Sequence, residues 1–402
     1  PQLDYLLPVD YYEADGGVSG GSFYVYEDEA ANPNRARIEP ENGYMDFVVN
    51  HFLVPDQYFC AVDLGMRFPN CGPSEVLVRH AFLKVDEDQQ QAYRTLSYPD
   101  TVPVKDADGN EIRDPATNEV LREPIFERFG YYRVERPEYD RQRGLTESGV
   151  DRRIIRFHIW ERSVDENGEV IPYAERTPKP IVYHLNWDFP DDLKEAATEV
   201  AAEWNEVFRT VVAERQNRAL EDVRDMFVLR ENSCNMDNLN SYLDSHPDVD
   251  ARVRDAVSGE LSKANMDHWC AAAEYYSYGL EDRFSWQQVG DPRFNMMHYV
   301  TEISQAPWLG LGPMFGDPVT GENISATSFV LGWGVERQAT RALEYIDFIN
   351  GELTAEELMT GINRPYEQSL ASYDSDARNR LLFGKNEYLE MTQKRPSDDF
   401  IE

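Results

Sequence analysis

Residues 310–351 read GLGPMFGDPVTGENISATSFVLGWGVERQATRALEYIDFING, and the order of elements in this stretch decides the fold. Asp317-Pro-Val-Thr-Gly-Glu322 has the chemistry of a tight turn. Pro318 fixes φ at about −65°, Gly321 supplies positive φ, and Asp317 can accept from the backbone two residues on. Ile324, Ala326 and Ser328 then alternate with Ser325, Thr327 and Phe329, the period of a half-buried strand. Gly332 and Gly334 interrupt that strand. From Val335 the period lengthens, and Val335, Ala339, Ala342, Leu343, Ile346 and Ile349 share one helical face. Gly351 stands where a C-terminal capping glycine belongs. The stretch therefore predicts a turn, an edge strand, a glycine break and a capped amphipathic helix.

Upstream, Ile181-Val-Tyr-His-Leu185 reads as a strand and Asp191–Val212 as the clearest helix in the chain. Leu193, Ala196, Ala197, Val200, Trp204, Val207, Phe208 and Val211 form its apolar stripe, and Asp191 and Asp192 suit its positive end. Strand, long helix and later strands predict a mixed α/β layer. Between Val228 and the next strand, Phe294–Val300, residues 213–293 read as a polar, irregular insertion with one helix over Val249–Ser262. Thr354-Ala-Glu-Glu357 is a capping box that opens a short helix, and the pattern stays helical to Glu402.

Thr177-Pro-Lys-Pro180 marks a boundary. Residues 1–178 before it read as a β-rich domain, with strands at Ser22–Tyr26, Tyr44–Val49, Val76–Val85, 126–136 and 154–160. Turns fall at Asp106–Asn110, Asp114–Glu119 and Asp165–Gly168, the second with nearly the chemistry of the 317–322 turn. Asp106, Asp108 and Asn110 alternate as calcium ligands do, but the rest of a calcium loop is missing and a plain turn is the reading. Basic residues interleaved with aromatics in 126–136 are expected to pair with nearby carboxylates. The fold class is α+β: a β-rich N-terminal domain, 1–178, followed by an α/β region with long helices, 179–402.

The 402 residues carry 74 Asp and Glu against 39 Lys and Arg, a net charge of −35. Such a surface repels nucleic-acid phosphates and anionic lipid, so neither is expected as a partner. No apolar run approaches the ~20 residues of a membrane span. The chain opens at Pro1 without a signal peptide, which predicts a processed or truncated N-terminus. Four cysteines allow three pairings; the sequential one, Cys60–Cys71 and Cys234–Cys270, closes the shortest loops and fits an exported protein. Neither spacing is C-x-x-C, against a zinc knuckle or a thioredoxin-like site. No G-x-S-x-G elbow, P-loop or dinucleotide fingerprint occurs. Carboxylates are too abundant for any pair to single itself out as acid and base. Tyr275, Tyr276, Tyr278, Trp269 and Trp286 could stack on sugars, although at that density core and loop packing is the reading.

Several segments in order resemble the catalytic domain of metzincin-type zinc metalloproteases, particularly large secreted bacterial enzymes of the myxobacterial type. They are Lys179-Pro-Ile-Val-Tyr-His-Leu185, Phe189-Pro190, Ala201-Ala-Glu-Trp-Asn-Glu-Val-Phe208 and the series Gly310, Gly312, Pro313, Asp317, Pro318, Thr320, Gly321, Glu322. Arg128-Phe-Gly-Tyr-Tyr-Arg133 and Phe157-His-Ile-Trp160 are similar to that family's β-rich N-terminal region. The likeness spans about residues 75–350 and implies an exported peptidase, secreted, cell-surface or periplasmic. It also implies that an edge strand pairs with an extended peptide substrate, a place that falls to Asn323–Val330 with Asn323, Ile324, Ser325, Ala326 and Thr327 as substrate-binding residues. The family's H-E-x-x-H zinc helix is absent, since His51, His80, His158, His184, His246, His268 and His298 all lack that spacing. No metal, zinc included, and no catalytic residue is therefore expected in this chain. Zinc would come with a C-terminal continuation or a cleaved partner chain; otherwise the chain is a non-catalytic extracellular binding or structural protein on the same scaffold.

Overall fold

The structure, a computed structural model, describes residues 6–7, 12–14, 18–25, 29–55, 74–301 and 309–355. Cys60 and Cys71, with the helical pattern beyond Ala355, lie outside them. The protein is α+β, with strands dominating the first part and the long helices following.

Six antiparallel strands open the chain: β1 (Leu6–Leu7), β2 (Tyr12–Ala14), β3 (Val18–Val25), β4 (Arg37–Glu39), β5 (Tyr44–Pro55) and β6 (Ser74–Leu83). Their order is β1-β3-β5-β4, with β2 beside β3 and β6 beside β5. Helix α1 (Glu87–Ala92) follows, its first turn capped by the Asp86 carboxylate accepting from the Asp88 amide. A ribbon of β7 (Thr101–Pro103) and β8 (Arg122–Pro124), the short α2 (Phe126–Phe129) and a hairpin of β9 (Arg133–Asp140) and β10 (Gly144–Ile154) complete this half.

Two strand expectations fail here. Residues 126–136 begin as the α2 turn, because Gly130 at φ 64° lets its amide bond back to the Phe126 carbonyl before β9 starts. Beyond Ile154 the chain forms no strand; Arg156 and Trp160 make isolated bridges to Glu322 and Pro178. The pairing of arginines with carboxylates holds: Arg133 reaches Asp100 at 2.7 Å and Glu135 at 2.5 Å.

The second half is a mixed sheet with helices. It runs β11 (Ile181–Leu185), α3 (Lys194–Gln216), β12 (Phe227–Arg230), α4 (Met236–Ser245), α5 (Pro247–Ala256), α6 (Met266–Tyr276), β13 (Asn295–Val300), β14 (Gly310–Leu311), β15 (Met314–Gly316), β16 (Asn323–Leu331) and α7 (Gly332–Asn350). Strand order is β12-β11-β13-β16-β14, with β15 also on β16. The first four are mutually parallel, and β14 and β15 run antiparallel to β16.

Helix α3 splits its predicted stripe. Ala197 is buried, together with Ala201 and Val212 from outside the stripe, and the small alanine side chains let the helix lie close to the sheet. The Phe208 ring stacks on Phe227 at 6.2 Å, but Val200, Trp204, Val207 and Val211 remain exposed. The insertion is not irregular: the helix expected over 249–262 forms as α5 but ends at Ala256, and two further helices join it. It holds α4, α5 and α6 around a core of Leu239, Leu243, Val249, Val253, Trp269 and Phe284. Leucines and valines four apart on two short helices close on the third, pinned by the Cys234–Cys270 disulfide (Cα–Cα 5.8 Å). Trp269 and Trp286 are buried in this core, whereas Tyr278 is exposed and donates to Glu41 at 3.2 Å.

A buried charge network ties the first sheet to this helical unit. Arg37 donates to Asp46 at 2.9 Å through Nε and reaches Asp291 at 3.4 Å; Arg79 reaches the same Asp46 at 3.1 Å. Arg35 meets Glu274 at 3.1 Å, and Arg293 joins Glu39 and Asp291, each at 2.7 Å. Burial pushes the Glu39 carboxyl up, but the Asn42 amide and the Arg283 and Arg293 guanidiniums outweigh it and hold the carboxyl down at about 2.

Candidate functional site: the cassette turn and the sheet edge

The Asp317–Glu322 turn forms as its residues dictate. The Asp317 amide donates to the Glu322 carbonyl and the Gly321 amide to the Asp317 carbonyl, each at 2.8 Å. The Asp317 carboxylate accepts from the Val319 amide at 3.1 Å and from the Thr320 hydroxyl at 2.7 Å. The Asp114–Glu119 turn repeats the backbone pattern, with Asn118 at φ 61° where Gly321 has φ 78°. Surroundings separate the two turns. Asn118 is exposed, whereas a Cβ on Gly321 would fall 2.4 Å from the Ile154 carbonyl oxygen. Only glycine fits there.

That close approach makes the turn an anchor for residues 87–160. The Arg156 amide donates to the Gly321 carbonyl at 3.2 Å and the Asn323 amide to the Arg156 carbonyl at 2.9 Å. Gln90 donates to Asp317 at 3.0 Å and Gln89 to Glu322 at 3.2 Å, while His158 Nδ1 lies 3.5 Å from the Glu322 carboxylate. Asp317, Thr320 and Glu322 are all buried. The sequence signals a turn at this place; its burial depends on chain remote in sequence.

Strand β16 is not an edge. On one side Thr327–Leu331 pairs with β13, and on the other Asn323–Val330 faces β15 and β14. Asn323, Ser325, Ala326 and Thr327 are buried and Ile324 is half-buried. The Ala326 amide already donates to the Asn295 side chain at 2.9 Å. Thr327 thus lies between strands, while Asn323–Ala326 has β15 on one side and the Arg156 carbonyl and Asn295 side chain meeting the Asn323 and Ala326 amides, so these five residues do not form the outermost edge of the sheet. Nor do the glycines interrupt the chain: α7 begins at Gly332, directly after Leu331. Gly332 is required there because a Cβ would lie 2.4 Å from the Tyr299 ring.

The edge belongs to the antiparallel segment 309–316, LGLGPMFG, which carries no charged side chain. Leu309 is 45% exposed, Leu311 56% and Phe315 57%. β14 and β15 pair only with β16 among the described residues. Edge strands are commonly shielded from further pairing by charged side chains, above all lysine. In a chain with 28% charged residues, this edge has none. Pro313 and three glycines break its regularity without closing it to a partner strand.

Around this edge the titratable groups are dispersed. Among the described residues no three His, Cys, Asp or Glu side chains converge as metal ligands would. His158 Nε2 lies 2.8 Å from Ser163 Oγ, His246 Nε2 2.9 Å from Asp282, and His268 Nδ1 2.7 Å from the Ala31 carbonyl. Burial, with the nearby Arg230 guanidinium, holds the His184 imidazole below its usual range. These residues do not fit a zinc site, and no reaction step is assigned to them. The Asp106 carboxylate of the suspected calcium turn accepts from the Asp108 and Asn110 amides, both at 2.9 Å, and so serves its own backbone. Sequence reasoning passed over Glu336, at the start of α7: burial and the neighbouring Asp192 push its carboxyl up to about 7.

No family model matches the chain, and no curated protein and no solved structure is found similar to it.

Proposed function

We propose that this chain is the peptide-binding part of an exported metallopeptidase of the metzincin type, with the zinc ligands supplied from beyond Glu402 or by a partner chain. One observation carries the reading: an uncharged, apolar, antiparallel edge, 309–316, ends an otherwise parallel sheet. Such an edge offers an extended peptide a row of main-chain donors and acceptors, the basis of recognition by strand addition. The substrate strand thus moves from 323–330, where the resemblance first put it, one position outward to β14 and β15. The Cys234–Cys270 disulfide and the lack of any described helix long and apolar enough to cross a membrane agree with export.

The test compares the 402-residue chain with the protein as its source organism releases it. The released protein is expected to hydrolyse unstructured polypeptide and to lose that activity to a chelator, while the 402-residue chain alone hydrolyses nothing. Chelator-sensitive hydrolysis by the chain alone, or no hydrolysis by the released protein, overturns the proposal.

A further inference from the structure

A second site lies at the carboxyl ends of the parallel strands. The chain leaves β11, passes through α3 to β12 on one side, and returns through the helical insertion to β13 on the other. The connections therefore diverge at the end of β11, and open sheets with this divergence bind ligands in the crevice outside the strand ends. A cleft of 610 Å³ sits there, lined by residues that follow all three strands and by the insertion. Its size is that of pockets which enclose small organic ligands.

The lining specifies the chemistry. Trp187, Phe189, Met236 and Met266 supply apolar surface, with Phe189 and Met266 buried and therefore fixed. Four carboxylates, Asp188, Asp191, Glu231 and Asp237, face two ammonium groups, Lys194 and Lys263, leaving the lining two negative charges in excess. The lysines are committed: Lys194 bridges Asp191 at 3.0 Å and Glu231 at 3.1 Å, and Lys263 also bonds to Asp191. Asp188 and Asp237 have no ion-pair partner among the described residues. Asp188 accepts from the Asn186 side-chain amide but has no cation beside it among the described residues, and an aromatic and thioether wall beside carboxylates without a cationic partner suits a cation carried on an apolar body.

We infer that this cleft binds an organic ammonium group on an apolar stem, either a free amine or the lysine side chain of a peptide. The inference is independent of the peptide edge, since neither β14 nor β15 lines the cleft. Calorimetric titration of the full chain with benzylamine, benzyl alcohol and benzoate tests it. A five-residue peptide with central lysine, and its norleucine counterpart, separate the two sources.

Benzylamine or the lysine peptide should bind saturably, about tenfold more tightly than its uncharged counterpart, and benzoate should not bind. Asp237→Asn should weaken the cation about tenfold and leave the uncharged probe unchanged. Met236→Trp, or Ala264→Trp at an exposed position should the former fail to fold, should abolish binding by filling the cleft. Failure of both cations to bind, equal binding of benzoate, or binding that survives the filling substitution overturns the inference.

Discussion

Gly321→Ala should destabilise the protein far more than Gly168→Ala, although the two glycines have nearly the same backbone. Their φ values are 78° and 82°, so the left-handed penalty for an L side chain, about 1–2 kcal/mol, applies equally. A Cβ on Gly168 meets nothing within 4 Å, whereas on Gly321 it falls 2.4 Å from the Ile154 carbonyl oxygen and 3.0 Å from Arg153 Cβ. The obstacle is backbone, which cannot rotate away as a side chain does. Overpacking adds about 1–3 kcal/mol. Strain on the Arg156–Gly321 and Asn323–Arg156 hydrogen bonds adds about 1 kcal/mol each. The sum is roughly 4–7 kcal/mol at Gly321 against about 1–2 at Gly168. Urea unfolding followed by tryptophan fluorescence measures the difference, and limited proteolysis within 87–160 reports whether that segment has come away. Equal losses at the two positions would refute the anchoring role of the turn.

Asp46→Ala should cost about 3–5 kcal/mol because it leaves Arg37 and Arg79 buried without their shared carboxylate; a loss below about 1 kcal/mol in urea would mean that water replaces it. Replacing both Cys234 and Cys270 by serine opens a loop of sequence separation 36 and should cost about 4 kcal/mol, and added reductant should then have no further effect on this loop. Glu336 has a raised carboxyl, so its contribution to stability is fully present below about 4.5 and is lost as pH rises through about 7. Glu336→Gln should therefore flatten stability across that window by ~1–2 kcal/mol after allowance for solvent screening; an unchanged pH profile would contradict the assignment.

How far the sequence alone reached depends on how local each signal is. The turn at 317–322, strand β16 and the Gly351 cap of α7 were legible because Pro318, Gly321, the alternation of 324–329 and the helical period after Val335 each act within a few residues. Helix α3 was legible in position but not in burial. Its apolar residues span two faces, and only the sheet decides that Ala197 and Ala201 go inward while Trp204 stays out. The insertion's core was visible only as the i,i+4 pairs Leu239–Leu243 and Val249–Val253, each too short to announce a helix bundle until Trp269 brings them together. Nothing in Asn323–Leu331 says that β14 and β15 cover one side and that β13 covers Thr327–Leu331 on the other. The signal that could have found the true edge is the uncharged run 309–316, conspicuous in so acidic a chain.

The central claim is that this edge receives an extended peptide, and amide hydrogen exchange tests it most directly. The full chain is incubated with and without a saturating unstructured polypeptide, and the amides of 310–316 are compared with those of 323–331. The account predicts that exchange within 310–316 slows at least about tenfold on binding, as new strand hydrogen bonds form, while Thr327–Leu331 of β16 is unchanged because strands already lie on both its sides. Unaltered exchange at 310–316 while the polypeptide binds, or protection that appears only elsewhere, would contradict it.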